Sequence, residues 1–185
     1  MKLSFLNLFA LSIIHSLSCN VYSSRPPYPE ISFMVFSDPH FYDPDLGTEG
    51  EAFMNYLDKD RKLLKESVEI MEEAFALIHN THADFVLVPG DLTKDGERSG
   101  HEKMAEYFKR IRATGKRVFV VPGNHDINNP DAYRYFDRIR ERVPSVTPQE
   151  FSEIYSECGY RDALKRDPHS LSYVVEPVEG LWILG

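Results

Sequence analysis

Three short apolar runs, residues 31–36, 85–88 and 117–121, each end almost directly in a polar fragment: Asp38-Pro39-His40, Gly90-Asp91 and Gly123-Asn124-His125-Asp126. Near-continuous apolar runs of this length read as strands covered on both faces, the situation inside a parallel sheet. Between them lie stretches with helical spacing. Leu64, Val68, Met71, Phe75 and Ile78 recur at intervals of four, three, four and three, which predicts a helix over residues 60–79. A second helix is expected from Ser99, where Ser99 and Glu102 match a capping box, with Met104, Phe108 and Ile111 as its buried stripe and Gly115 as its C-cap. Strand, helix, strand, helix, strand is an α/β order, so a parallel sheet with right-handed crossovers and helices packed outside it follows. Strand tips of such a sheet share one edge, and the three polar fragments are expected to meet there.

The remainder is plainer. Residues 41–53, rich in Asp and Gly, read as a long loop. Residues 129–139 read as a short helix whose Tyr133, Tyr135 and Phe136 pack in the core, with a substrate-pocket wall as the alternative. Thr147-Pro148-Gln149-Glu150 is a second capping-box match with Pro at the first helical position, opening a helix to about residue 156. Residues 171–175 and 181–184 flank a turn and read as a hairpin. The chain stops inside the apolar run Leu181-Trp182-Ile183-Leu184-Gly185, so residues 31–185 are expected to be the N-terminal part of a larger domain.

Charge narrows the partners. The chain of 185 residues is 42% apolar and carries a net charge of −8. An acidic balance disfavours non-specific nucleic-acid binding, which relies on Lys and Arg at phosphates, but leaves a small phosphorylated substrate open. At the N-terminus, Lys2 precedes an apolar stretch over residues 3–17 broken by Ser4, Asn7, Ser12 and His15. That is shorter than the roughly 20 residues a membrane span needs and fits a secretory signal over residues 1–19. Ser18-Cys19-Asn20 resembles a bacterial lipoprotein cleavage site, although Ser16 stands where that signal usually has Leu; simple cleavage near Ser18 or Ser23 is the alternative. An exported protein, periplasmic or at the cell surface and anchored through a lipid on Cys19, is therefore expected, with residues 20–30 (Pro26, Pro27, Pro29) as a stiff tether. Cys158 is the second of two cysteines, which leaves no disulfide framework in the mature domain; a small packed side chain is its expected role.

The strand-tip fragments supply oxygen and nitrogen donors suited to divalent metals. In an extended segment Asp38 and His40, two positions apart, point the same way and can face one ion. The plainer alternative is an Asp-Pro turn. Gly90 lets the strand tip turn sharply and aims Asp91, whose two oxygens can bridge two cations; capping of the following segment is the alternative. Asn124 offers a neutral carbonyl oxygen, and His125 is a proton donor titrating near neutrality. Asp126 is expected to hold the His125 ring through its other nitrogen. A Pro-Gly-Asn turn is again the alternative. His79 and His82 suit a helix C-terminus, and His101 falls in the first turn of the next helix without a ligand partner at useful spacing.

Taken in order, Asp38-x-His40, Gly90-Asp91 and Gly123-Asn124-His125-Asp126 resemble the calcineurin-like metallophosphoesterase family. The resemblance spans residues 31–185 and implies a metallophosphoesterase-like α/β sandwich. It implies two divalent ions (Mn, Fe, Zn or Co), with Asp38 and His40 on one, Asp91 bridging and Asn124 on the second. It gives His125, with Asp126 beside it, the task of protonating the leaving group or stabilising developing charge. The implied chemistry is hydrolysis of phosphodiesters first, phosphomonoesters second, by a metal-activated hydroxide. The stretch Gly90-Asp91-Leu92-Thr93-Lys94-Asp95-Gly96 is also similar to the branch holding cyclic-nucleotide phosphodiesterases. The family has further His ligands in a lone His and a Gly-His-x-His motif. After His125 the chain has His169 alone, in the loop sequence Asp167-Pro168-His169-Ser170. A partial ligand set makes an inactive fragment the expectation, and a non-catalytic metal- or phosphate-binding protein the alternative function.

Overall fold

The computed structural model describes residues 28–185; the expected signal segment, Cys19 and the tether up to residue 27 lie outside the described residues. Strands β1 (Phe33–Val35), β2 (Phe85–Pro89) and β3 (Arg117–Val121) pair in parallel in that order. Val35 lies opposite Leu87, Leu87 opposite Phe119 and Pro89 opposite Val121, so the three C-terminal tips finish nearly level. Helices α1 (Glu51–Leu57) and α2 (Ser67–Asn80) fill the first crossover, and α3 (Arg98–Arg112) fills the second. Met71 and Ile78 of α2 and Met104, Phe108 and Ile111 of α3 are buried in one core with Phe85, Val86, Val88, Val118 and Val120 of the sheet. Each such side chain removed from water stabilises the fold by roughly 1.5–3 kcal/mol. The expected α/β order is the one observed.

Local departures have physical causes. The helix expected from residue 60 begins at Ser67. The Asp60 carboxylate accepts from the Lys62 amide at 3.2 Å and the Tyr56 hydroxyl at 2.6 Å, holding a turn that drives Leu64 into a second cluster with Tyr42, Phe53 and Tyr135. The expected loop over residues 41–53 contains a single 3-10 turn (Pro44–Leu46) and the start of α1. The Ser99 capping box is absent. Helix α3 starts at Arg98 with Glu97 as N-cap and no side-chain cap bond, because the Glu97 carboxylate is engaged by Lys94 and the Asp95 amide.

The short helix expected over residues 129–139 is instead an antiparallel hairpin, β4 (Tyr133–Phe136) and β5 (Ile139–Arg142). Its aromatics follow a period of two: Tyr135 is buried, while Phe136 is 78% exposed. An Arg134–Glu141 ion pair joins the strands, and Asp137 in the turn takes φ 48°.

Helix α4 (Pro148–Ile154) opens with the expected capping box, Thr147 and Glu150 each accepting from the other's backbone. The last sheet comprises β6 (Lys165–Arg166), β7 (Tyr173–Val178) and β8 (Leu181–Leu184), the β7–β8 pair being the expected hairpin. It packs beside β3, where the Tyr173 hydroxyl donates to the Val120 carbonyl at 2.8 Å. Cys158 is buried, and burial pushes its thiol up to about 12, which leaves it unreactive. Among the described residues no helix is long and apolar enough to cross a membrane.

Candidate metal centre

Backbone pairing continues past the strands and fastens their tips together. The Asp38 amide donates to the Gly90 carbonyl at 3.3 Å, His40 to Asp91 at 3.0 Å and Phe41 to Leu92 at 3.0 Å, while Gly90 donates to Val121 at 3.0 Å. Asp38, His40 and Asp91 have φ of 54°, 43° and 42°, the left-handed region that costs an L-residue energy and that clusters at functional sites. Asp38 and His40 therefore come to one side through left-handed kinks and not through the extended alternation expected for them. Ligand atoms of Asp38, His40 and Asp91 all lie within 4.8 Å of one another.

Asp91, 8% exposed, is gripped from the third tip. Its Oδ1 accepts from the His125 amide at 2.9 Å, and its Oδ2 is 3.8 Å from His40 Nε2. A Cβ on Gly123 would stand 2.1 Å from that Oδ1, so only glycine lets the Asn124-His125 segment pass so closely. Asn124 is exposed and sits between Gly123 and His125, both of which touch Asp91, at the same rim. The His40 and His125 rings meet edge to face with centroids 5.1 Å apart.

Three donors of O, N and O type converging within one ion's reach fit a divalent cation. The Nδ1 of His40 is buried without a hydrogen-bond partner among the described residues. Burial, aided by the Lys62 ammonium and opposed by Asp91, lowers the His40 pKa and favours the neutral ring that ligates metals.

The expected contact between Asp126 and the His125 ring is not the one observed. Asp126 is fully buried, and its carboxylate accepts from the backbone of Leu92 (3.0 Å), Thr93 (2.9 Å) and Gly123 (2.8 Å) and from the Thr93 hydroxyl (3.2 Å). It ties the second tip to the third. The ring of His125 is held by Asp95, whose Oδ1 lies 2.8 Å from Nδ1. A carboxylate accepts, so the proton sits on Nδ1 and Nε2 is left open.

Behind Asp95 lies a buried polar cluster. Lys94 pairs with Asp95 and with Glu97 at 3.0 Å, and the Asp95 amide donates to Glu97 at 2.9 Å. Burial works to discharge Lys94, but Glu97 and Asp95 outweigh it and hold its pKa above the ordinary value. Burial raises Glu97, with Lys94 opposing.

His101 braces the other side. Its Nε2 donates to the Asp126 carbonyl at 2.8 Å, and its Nδ1 meets the Tyr155 hydroxyl at 2.8 Å. Asp95, Lys94 and Glu97 escaped sequence reasoning because a run of charges after a strand looks like a solvated turn; their close spacing to Asp91 was the available signal. His169 occupies an exposed turn, its amide donating to Asp167 at 3.0 Å, and is not in the ligand group.

A family model described as calcineurin-like phosphoesterase matches residues 31–175. Among curated proteins, the 3',5'-cyclic adenosine monophosphate phosphodiesterase CpdA of Haemophilus influenzae is 29% identical over 111 residues, a match covering 58% of this chain and 34% of that protein. The chain thus spans about a third of the length of that relative.

Proposed function

The chain belongs to the calcineurin-like phosphoesterase family, and from that premise we propose that its strand-tip site hydrolyses phosphodiesters, with phosphomonoesters as the weaker substrates. The observation that supports this reading is the convergence of Asp38, His40 and Asp91 within one ion's reach, beside a His125 ring already fixed by a carboxylate. In this reading Asp38, His40 and Asp91 hold one divalent ion, and Asp91 with Asn124 takes part in holding a second. Bound divalent ions supply an acidified water and charge compensation for the phosphoryl oxygens. The chain's own part is positional. In this reading His125 acts as the imidazolium: it keeps its Nδ1 proton on Asp95 and gives its Nε2 proton to the departing oxygen, which leaves the neutral Nδ1-protonated ring. Gly123 keeps Asn124 and His125 against Asp91. Asp126 locks both tips in register.

The similarity to a cyclic AMP phosphodiesterase makes 3',5'-cyclic nucleotides the first natural class to try. The test is hydrolysis of bis-p-nitrophenyl phosphate, p-nitrophenyl phosphate and cyclic AMP by the full-length protein with added Mn²⁺. Asp91→Asn is expected to lose more than the about 10- to 100-fold that follows loss of an outer partner of a metal ligand. Undiminished turnover in that variant would remove the metal-centred reading. Metal binding without turnover in the wild type would point to a binding protein on the same scaffold.

A further inference from the structure

Lys94 belongs to no ligand group, yet it is fully buried. Lysine is among the residues least often found so unless paired. Its ammonium lies 4.6 Å from the ring centre of Tyr56, 5.8 Å from that of Tyr135 and 6.0 Å from that of Tyr42. Those rings come from α1, from β4 and from the loop after β1, so three separate segments close over one cation. Aromatic faces favour a desolvated cation. Within the cage the ammonium meets Asp95 Oδ2, Glu97 Oε1 at 3.0 Å and, at 3.5 Å, the Asp131 carbonyl. Asp95 thus spends one oxygen on Lys94 and the other, Oδ1, on His125 Nδ1 at 2.8 Å. A carboxylate gripped at both oxygens cannot rotate away from the imidazole.

We propose that Lys94 is a positioning residue for this site: its caged ammonium fixes Asp95, and Asp95 holds the Nδ1–H of the His125 ring so that Nε2 is turned toward the leaving oxygen. Lys94 touches no reacting atom; it acts through Asp95. The kinetic part of the inference rests on the phosphoesterase reading above, whereas the tautomer part does not.

The experiment uses full-length protein. Side-chain ¹⁵N NMR of the wild type is expected to show a proton on His125 Nδ1; a ring protonated at Nε2 alone would overturn the proposal before any variant is made. Lys94→Met is then compared with the double variant Lys94→Met/Glu97→Gln, which has the wild-type net charge in the cluster and guards against unfolding from an unpaired carboxylate. In both, kcat on bis-p-nitrophenyl phosphate is expected to fall about tenfold or more, with the His125 tautomer no longer uniform. KM is expected to stay within about twofold. In a His125→Ala background, Lys94→Met should change kcat by less than about twofold, because its effect runs through the missing ring. Retained kcat in the double variant, a full further loss in the His125→Ala background, or an unchanged tautomer in Lys94→Met would each overturn the assignment. A wild type that turns over none of the phosphoesters sinks the phosphoesterase reading while the NMR arm still decides the role of Lys94.

Discussion

Asp95 and Asp126 are both buried carboxylates close to the strand tips, and their hydrogen bonds give them different work. Asp126 collects three backbone N–H groups and one hydroxyl. Replacing it by Ala leaves those buried donors unmatched, at about 1–3 kcal/mol each. Asp126→Ala is therefore expected to lower the urea unfolding midpoint by more than any other single change at the site. Asp95→Asn keeps a side chain of the same shape but sheds the charge facing His125. Its expected signature is the reverse: a smaller loss of stability and a fall in kcat of about 10- to 100-fold. Equal midpoints for the two variants would refute this division. Sequence reasoning paired Asp126 with the His125 ring because the two are neighbours along the chain. Adjacent residues on a tight turn face different ways, and Asp126 turns inward to the amides of Leu92 and Thr93 while His125 turns out to Asp95.

At the level of elements, the parallel strands were readable because each is a near-continuous apolar run, and β3 matched its expected bounds; β1, expected to be covered on both faces over residues 31–36, is shorter and leaves Phe33 and Val35 exposed. That polar fragments gather at their tips was readable for a related reason: few polar residues follow such runs, and Asp38, His40 and Asp91 do come together there. The β4–β5 hairpin was not readable as such, because Tyr133, Phe136 and Ile139 recur every three residues and so also satisfy helical spacing over a window this short. Nor was the role of His101 visible, since its partners Asp126 and Tyr155 come from other segments.

That histidine gives helix α3 a pH-dependent hold on the site loop and on the residue that caps α4. Burial lowers its pKa from the ordinary value of 6.5. The unfolded chain takes up a proton there near pH 6.5 and the folded chain does not, so acid favours unfolding. Stability from this group is fully present above pH 6.5 and is lost as the pH falls below it, by at most about 1.4 kcal/mol per pH unit. His40, also lowered, adds a slope of the same sign. Urea titrations between pH 5 and 8 should show the slope reduced, not abolished, in His101→Gln; an unchanged slope would assign it to other groups.

For the whole molecule, the strand-tip site is a place where folding and ligand binding pull in opposite directions. Three potential ligands, Asp38, His40 and Asp91, stand in left-handed backbone, and glycine would relieve each of them. Asp38 is the clean case, because it is exposed and its amide bond to Gly90 is made by the backbone, independent of the side chain. Without metal, Asp38→Gly is expected to be nearly neutral: Asp visits the left-handed region more readily than most L-residues, so the strain relieved lies at or below the low end of roughly 1–2 kcal/mol, and it is offset by the roughly 0.5–1 kcal/mol that glycine's freer unfolded chain costs. Asp38→Ala is more strained than the wild type there, because it lacks the short polar side chain that lets Asp visit the left-handed region, so it should unfold about 1 kcal/mol more easily than either. With metal the order of all three changes. A divalent ion at 100 times its Kd stabilises the wild type by about 2.7 kcal/mol, and neither variant should gain it. Thermal melts with EDTA and with excess Mn²⁺ therefore separate the two contributions. Wild type and Asp38→Gly should melt together in EDTA and several degrees apart in Mn²⁺, while Asp38→Ala lies lowest in EDTA. If Asp38→Gly rose in Mn²⁺ as far as the wild type does, Asp38 would not be a ligand, and its strained backbone would need another reason.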